Sequence, residues 1–205
     1  MSTTTEDRVQ RSVQKLHAAG LLVRDDLPAP NPDAPLRDKE ETCRRAVSLA
    51  LVAMYADDVR QNGSMNKSRM FIALLCQKYE ARDFLSESER AFFITKNPSE
   101  EEIIAHVWLY ESLYTLLWAL SYIDELDIPA KTCDVEKAIG VLTGRNFATL
   151  RDGARMRPRD EILDAADLFA RLNALCEADE GGYVITESVG ERHRALQWLC
   201  GQNSF

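Results

Sequence analysis

Glu111 sits inside Trp108-Leu-Tyr-Glu-Ser-Leu-Tyr-Thr-Leu-Leu-Trp118, where almost every neighbour at helical spacing is large and apolar. A helix read from about Glu100 to Leu126 gives an aliphatic face of Leu109, Leu113, Leu116, Leu117, Leu120 and Ile123. Its opposite, aromatic face carries Ile104, Val107, Trp108, Tyr114, Trp118 and Tyr122, with Glu111 at the centre. Burying a bare carboxylate there is costly, so it must be paired, hydrogen-bonded or protonated. Two chemistries follow: an architectural ion pair between helices, or a general acid or base with a raised pKa. The expected partner is a cation of the C-terminal third, one of Arg155, Arg159, Arg171, Arg192 and His193.

His193 shares a helical stripe with Val189, Leu196 and Cys200, so its ring faces the core. Such a histidine is ordinarily a satisfied core residue; the catalytic version makes it the acid/base partner of Glu111 or Asp164. Asp164 belongs to a run with Asp160, Glu161 and Asp167, which a helix dipole and an Asp167–Arg171 pair at i,i+4 largely explain. The Glu-x-x-His spacing of dinuclear carboxylate bundles does not occur: His106 stands five residues before Glu111, and Glu191 two before His193. No metal site and no cofactor are expected.

Arg145, Arg151, Arg155, Arg157 and Arg159 place five guanidinium groups within fifteen residues. Beside a helix N-terminus such a connector would suit an anion or phosphate group. Its simpler role is to neutralise Asp152, Asp160, Glu161 and Glu111. No glycine-rich phosphate loop accompanies it.

The elements that must position these residues read as helices. Thr4 or Thr5 caps a first helix from about Glu6 to Ala19, with Gly20 as its stop. Residues 26–36 hold four prolines in eleven positions and form an extended linker. A long helix from about Leu36 to Arg60 is apolar nearly all round between Ala46 and Ala56, as a central bundle helix is, and Gly63 ends it. The next helix carries Met70, Phe71, Leu74, Leu75 and Tyr79. Capping boxes at Ser86/Glu89, Ser99/Glu102 and Ser188/Glu191 mark further starts, and Pro158 opens a helix to about Ala178. Only Tyr183-Val-Ile-Thr186 has β character. The expectation is an all-α bundle of about seven to eight helices with at most a minor hairpin. It divides into an N-terminal helical arm (1–25), the linker (26–36) and a helical body (37–205) that folds without the arm.

A chain of 205 residues with 45% hydrophobic and 28% charged side chains buries a core unaided. With 25 basic against 33 acidic residues its net charge is −8, which disfavours nucleic acid as a partner. Five cysteines, an odd number without Cys-x-x-Cys spacing, read as reduced thiols in a cytoplasmic setting. The longest apolar run, Leu49–Ala56, is too short to span a membrane.

Three phrases carry a resemblance: the Trp108–Leu120 stretch, Arg157-Pro-Arg-Asp-Glu-Ile-Leu-Asp-Ala-Ala-Asp-Leu168 and Glu191-Arg-His-Arg-Ala-Leu-Gln-Trp-Leu199. In order and spacing they resemble the bacterial domain-of-unknown-function family 4272 over roughly residues 36–200, and Arg37…Glu41…Arg44 fits as well. The ending departs from the family, which often has Asn at the place of Gln197 and a following Trp-Asp pair. The resemblance implies a helical bacterial domain and brings no activity.

Three readings stand. The leading one is a non-catalytic binding or regulatory module whose charged core is architectural, with a protein or a small anionic ligand as partner. The second is a hydrolase or lyase with Glu111 and His193 as acid and base and Arg155, Arg159 and Arg192 holding an anionic substrate. The third is a phospho-ligand sensor built on the Arg145–Arg159 connector. An enzyme requires an open cleft at Glu111 and His193, a binding module a closed network and an exposed apolar patch. Oligomeric state is not legible.

Overall fold

A computed structural model describes residues 4–23, 27–62 and 64–202. The chain is all-α: α1 (Thr5–Ala18), α2 (Lys39–Asn62), α3 (Met65–Lys78), α4 (Glu87–Ile94), α5 (Glu100–Val107), α6 (Leu109–Ala119), α7 (Val135–Leu142), α8 (Phe147–Gly153), α9 (Arg159–Glu177) and α10 (Thr186–Leu199). A 3₁₀ turn at Ala81–Asp83 joins α3 to α4. Gly63, expected to end the second helix, lies outside the described residues, as do the last three of the chain.

The layers follow from which helices lack a polar face. In α2, Ala46, Val47, Leu49, Val52, Ala53, Tyr55 and Ala56 are all fully buried, so it is packed on several sides. It lies against α3, α5, α6 and α8. Helix α6 bridges α2 to α10, α10 packs on α9, and α9 carries α1 on its far side.

Several starts are set by local chemistry. The Thr4 and Ser86 side chains accept from the N–H groups of Asp7 and Glu89, each in a reciprocal capping box, and Ser99 accepts from Glu102. The third box is not a cap. Helix α10 already begins at Thr186, so Ser188 and Glu191 lie inside it and their side chains serve the core. No strand forms among the described residues. Tyr183 and its neighbours turn into α10, and the Ile185 N–H donates to Pro129 O at 2.9 Å.

The expected helix from Glu100 to Leu126 is two helices. The Glu111 N–H bonds back to Trp108 O, three residues away, which tightens the chain between α5 and α6. Helix α6 stops at Ala119 because Ser121 takes a left-handed backbone (φ 59°), and the N–H groups of Ser121 and Tyr122 return to Trp118 O and Leu117 O. The arginine-rich stretch likewise contains a helix, α8, capped by Asn146.

The linker returns the chain so that α1 lies along α9. Arg8 is 1% exposed, with Nε 2.9 Å from Asp164 Oδ1 and Nη2 3.2 Å from Asp160 Oδ1, and Leu16 is fully buried beside them. The linker itself is held by side chains: Arg159 donates to Pro32 O and Ala34 O, and Arg171 donates to Leu27 O.

Candidate functional site

The charged core lies where α6 meets α10, and the segment leading into α7 closes it. Glu111 is 1% exposed. Its Oε2 accepts from Arg192 Nε at 2.8 Å, and its Oε1 from the Cys133 N–H at 2.7 Å and Ser188 Oγ at 3.0 Å. Arg192 Nη1 donates a second hydrogen bond to Asp127 O at 2.8 Å, and its guanidinium lies near the Tyr114 and Phe169 rings. At the adjacent positions, Ser112 Oγ donates to Glu191 Oε2 at 2.7 Å, and Arg194 pairs with the other oxygen of that carboxylate. Burial, followed by the charge of Glu111, pushes the Cys133 thiol up to about 12, so it is a thiol and not a nucleophile at neutral pH.

Three donors thus occupy most of the acceptor sites of the Glu111 carboxylate, two from α10 and one from the segment before α7. The contacts tie α6 to α10 and to that segment.

The other residues singled out in the sequence lie elsewhere. His193 faces away from Glu111 into a cavity of about 320 Å³ between the linker, α9 and α10, beside Pro28, Pro30, Gln197 and Cys200. Its Nδ1 is buried without a hydrogen-bond partner among the described residues, and burial holds the imidazole below its usual pKa, with the charge of Glu177 opposing. Asp164 serves α1, accepting from Arg8 and Arg11. Arg171 pairs with Asp167, both 1% exposed. Arg155 is exposed, and its backbone N–H bonds to Leu120 O.

The connector arginines act mostly on carbonyl oxygens. Arg157 donates to Trp118 O, Ile123 O and Asp124 O, stacks on the Trp118 ring and pairs with Glu161. Arg145 donates to Val141 O and Arg151 pairs with Asp152. These groups staple turns; they do not converge on one concavity. Among the described residues no group of three or more His, Cys, Asp and Glu side chains is placed to hold a metal ion, and no helix is long and apolar enough to cross a membrane.

One surface escapes the sequence reading. Met70 (71% exposed), Leu74 (66%) and Ile94 (77%) present bare apolar side chains on α3 and α4, with Phe71 half-buried beside them. Between these helices and the 3₁₀ turn runs a groove of about 820 Å³ with Ala73, Cys76, Leu85 and Phe93 in its wall and Arg82 and Arg90 at its edge. Its sequence signal is a helix apolar on more sides than one neighbour can cover. Of its apolar residues Ile72 faces the core, which leaves Met70 and Leu74 outside.

Among known proteins, the family model for a domain of unknown function, DUF4272, matches residues 8–204. The match takes in α1 from Arg8 onward, beyond the roughly 36–200 that the resemblance covers. No curated protein and no solved structure matches.

Proposed function

The chain belongs to the DUF4272 family, and from that premise we propose that it is a non-catalytic helical binding module, with the Glu111–Arg192 network as its frame and the α3–α4 face as its working surface. The observation that carries this reading is a groove walled by Ala73, Cys76, Leu85, Phe93 and the exposed Ile94, on helices that also leave Met70 and Leu74 bare. Isolated apolar side chains are ordinary on a surface, but a contiguous set around a concavity is what partner-binding sites leave bare when empty. The acidic balance and the absence of paired cysteines suit a reducing, cytoplasmic setting.

A photo-crosslinking residue placed at Leu74 in the protein expressed in its own host tests the reading, with one at exposed Glu136 on α7 as control. Adducts with a macromolecule at position 74 and not at 136 support a binding face there. Equal adducts at both positions, or none at 74, refute it.

A further inference from the structure

Resting on the reading of α3–α4 as a docking face, we propose that its occupant is an acidic amphipathic helix of another protein. The groove is built to stay open. Arg69 donates to Phe93 O and Thr95 O at 2.7 Å each, fixing the C-terminal end of α4 against α3. Arg45 of α2 meets Glu89 of α4 at 2.8 Å, both nearly buried, and the Tyr55 ring packs edge-on against Phe92 and Phe93. The walls are therefore anchored in the core while Ile94 stands exposed at their edge, with Leu74 bare on α3. A trough with Ala73 and Cys76 of α3 on one side and Phe93 and Ile94 of α4 on the other suits a third helix, about 10 Å across, laid along it with contacts at i, i+3, i+4 and i+7.

Charge selects the kind of helix. The chain carries 33 acidic against 25 basic residues, yet residues 65–79 contain Lys67, Arg69 and Lys78 and no Asp or Glu. Arg82 and Arg90 add two guanidinium groups at the groove edge, against Glu80. Neither Arg82 nor Arg90 is in an ion pair among the described residues, so both are available to a partner's carboxylates. A positive rim on an acidic protein draws in acidic segments and repels basic ones. A second copy of the chain fits less well: α3 laid antiparallel on itself about Phe71 and Leu74 sets Lys67 against Lys78. An anionic membrane fits less well too, because the apolar side chains surround a concavity that a flat surface would leave unfilled.

The test is selection of displayed helical peptides against the full chain. The library has a fixed apolar stripe at i, i+3, i+4 and i+7 and all other positions random. The selected pool is expected to be net acidic, and its members to bind at least about tenfold more weakly to Leu74→Asp and to Arg82→Glu/Arg90→Glu, two changes at a surface that leave the melting curve in place. A neutral or basic pool overturns the proposal, as do peptides indifferent to Leu74→Asp. So does concentration-dependent dimerisation through this face, or Leu74-dependent flotation with phosphatidylcholine–phosphatidylglycerol vesicles, in the absence of acidic selection. Adducts at position 74 alongside a pool without acidic bias sink this inference and leave the binding module standing; failure at both sinks the two together.

Discussion

Arg192 reaches Glu111 with Nε at 2.8 Å and Asp127 O with Nη1 at the same distance, so one guanidinium ties α10 both to α6 and to the loop that follows it. The pair is 4% and 2% exposed at its side chains. A buried pair contributes little net stability against apolar side chains of equal volume, but losing one member strands the other.

Glu111→Gln is therefore expected to destabilise the fold by about 3–5 kcal/mol in urea melts, and a double-mutant cycle with Arg192→Met to give a coupling of at least about 1 kcal/mol. Stability unchanged by Glu111→Gln would contradict an architectural role for the network.

Arg157→Lys keeps the charge and loses the fork. Three carbonyl oxygens and the Trp118 face are served by one planar group, a set that a single ammonium cannot reach together. The expected cost is about 2 kcal/mol, and local hydrogen exchange should rise first at residues 120–126. A silent substitution would show the turn to be held by other contacts.

His193 gives a pH dependence of defined sign. Its folded pKa lies below 6.5 because burial penalises the imidazolium, so the unfolded chain binds the proton more readily. Its contribution is whole above the unfolded value and is lost as pH falls from about 6.5 through the folded pKa. Replacing His193 with Gln should flatten the stability profile over that window; a slope unaltered by the change would assign it to other groups.

Removing residues 1–34 takes away Arg8 and Leu16 and uncovers one side of α9. The remaining body is expected to keep its helical circular dichroism and to melt with stability lower by about 3 kcal/mol or more, with new binding of an apolar dye. Complete loss of helical signal would make α1 indispensable to the core.

The bundle and its buried carboxylate are legible in the sequence because both are written in helical periodicity. What is not legible has particular causes. The break at Trp108 has no glycine or proline to mark it, and Ser121 ends α6 in a conformation that usually selects glycine. Ser188 and Glu191 satisfy the capping pattern by their spacing alone; they are spoken for by Glu111 and Ser112, residues nearly eighty positions away. The connector arginines read as partners of nearby acids or as an anion site, and neither reading shows their main-chain carbonyl acceptors, which every sequence contains and none displays. The exposed face of α3 is not legible for the converse reason: periodicity shows that a residue is apolar, and only packing shows which apolar residues run out of neighbours.

The place of α1 bears on the order in which the protein is made. Arg8 finds Asp160 and Asp164 only after 152 and 156 further residues have followed it. During synthesis α1 therefore waits, with Leu16 uncovered, until α9 emerges. The four prolines behind it keep that waiting segment extended and poor at pairing with other chains. Among the described helices, α1 waits longest for the partner it packs on.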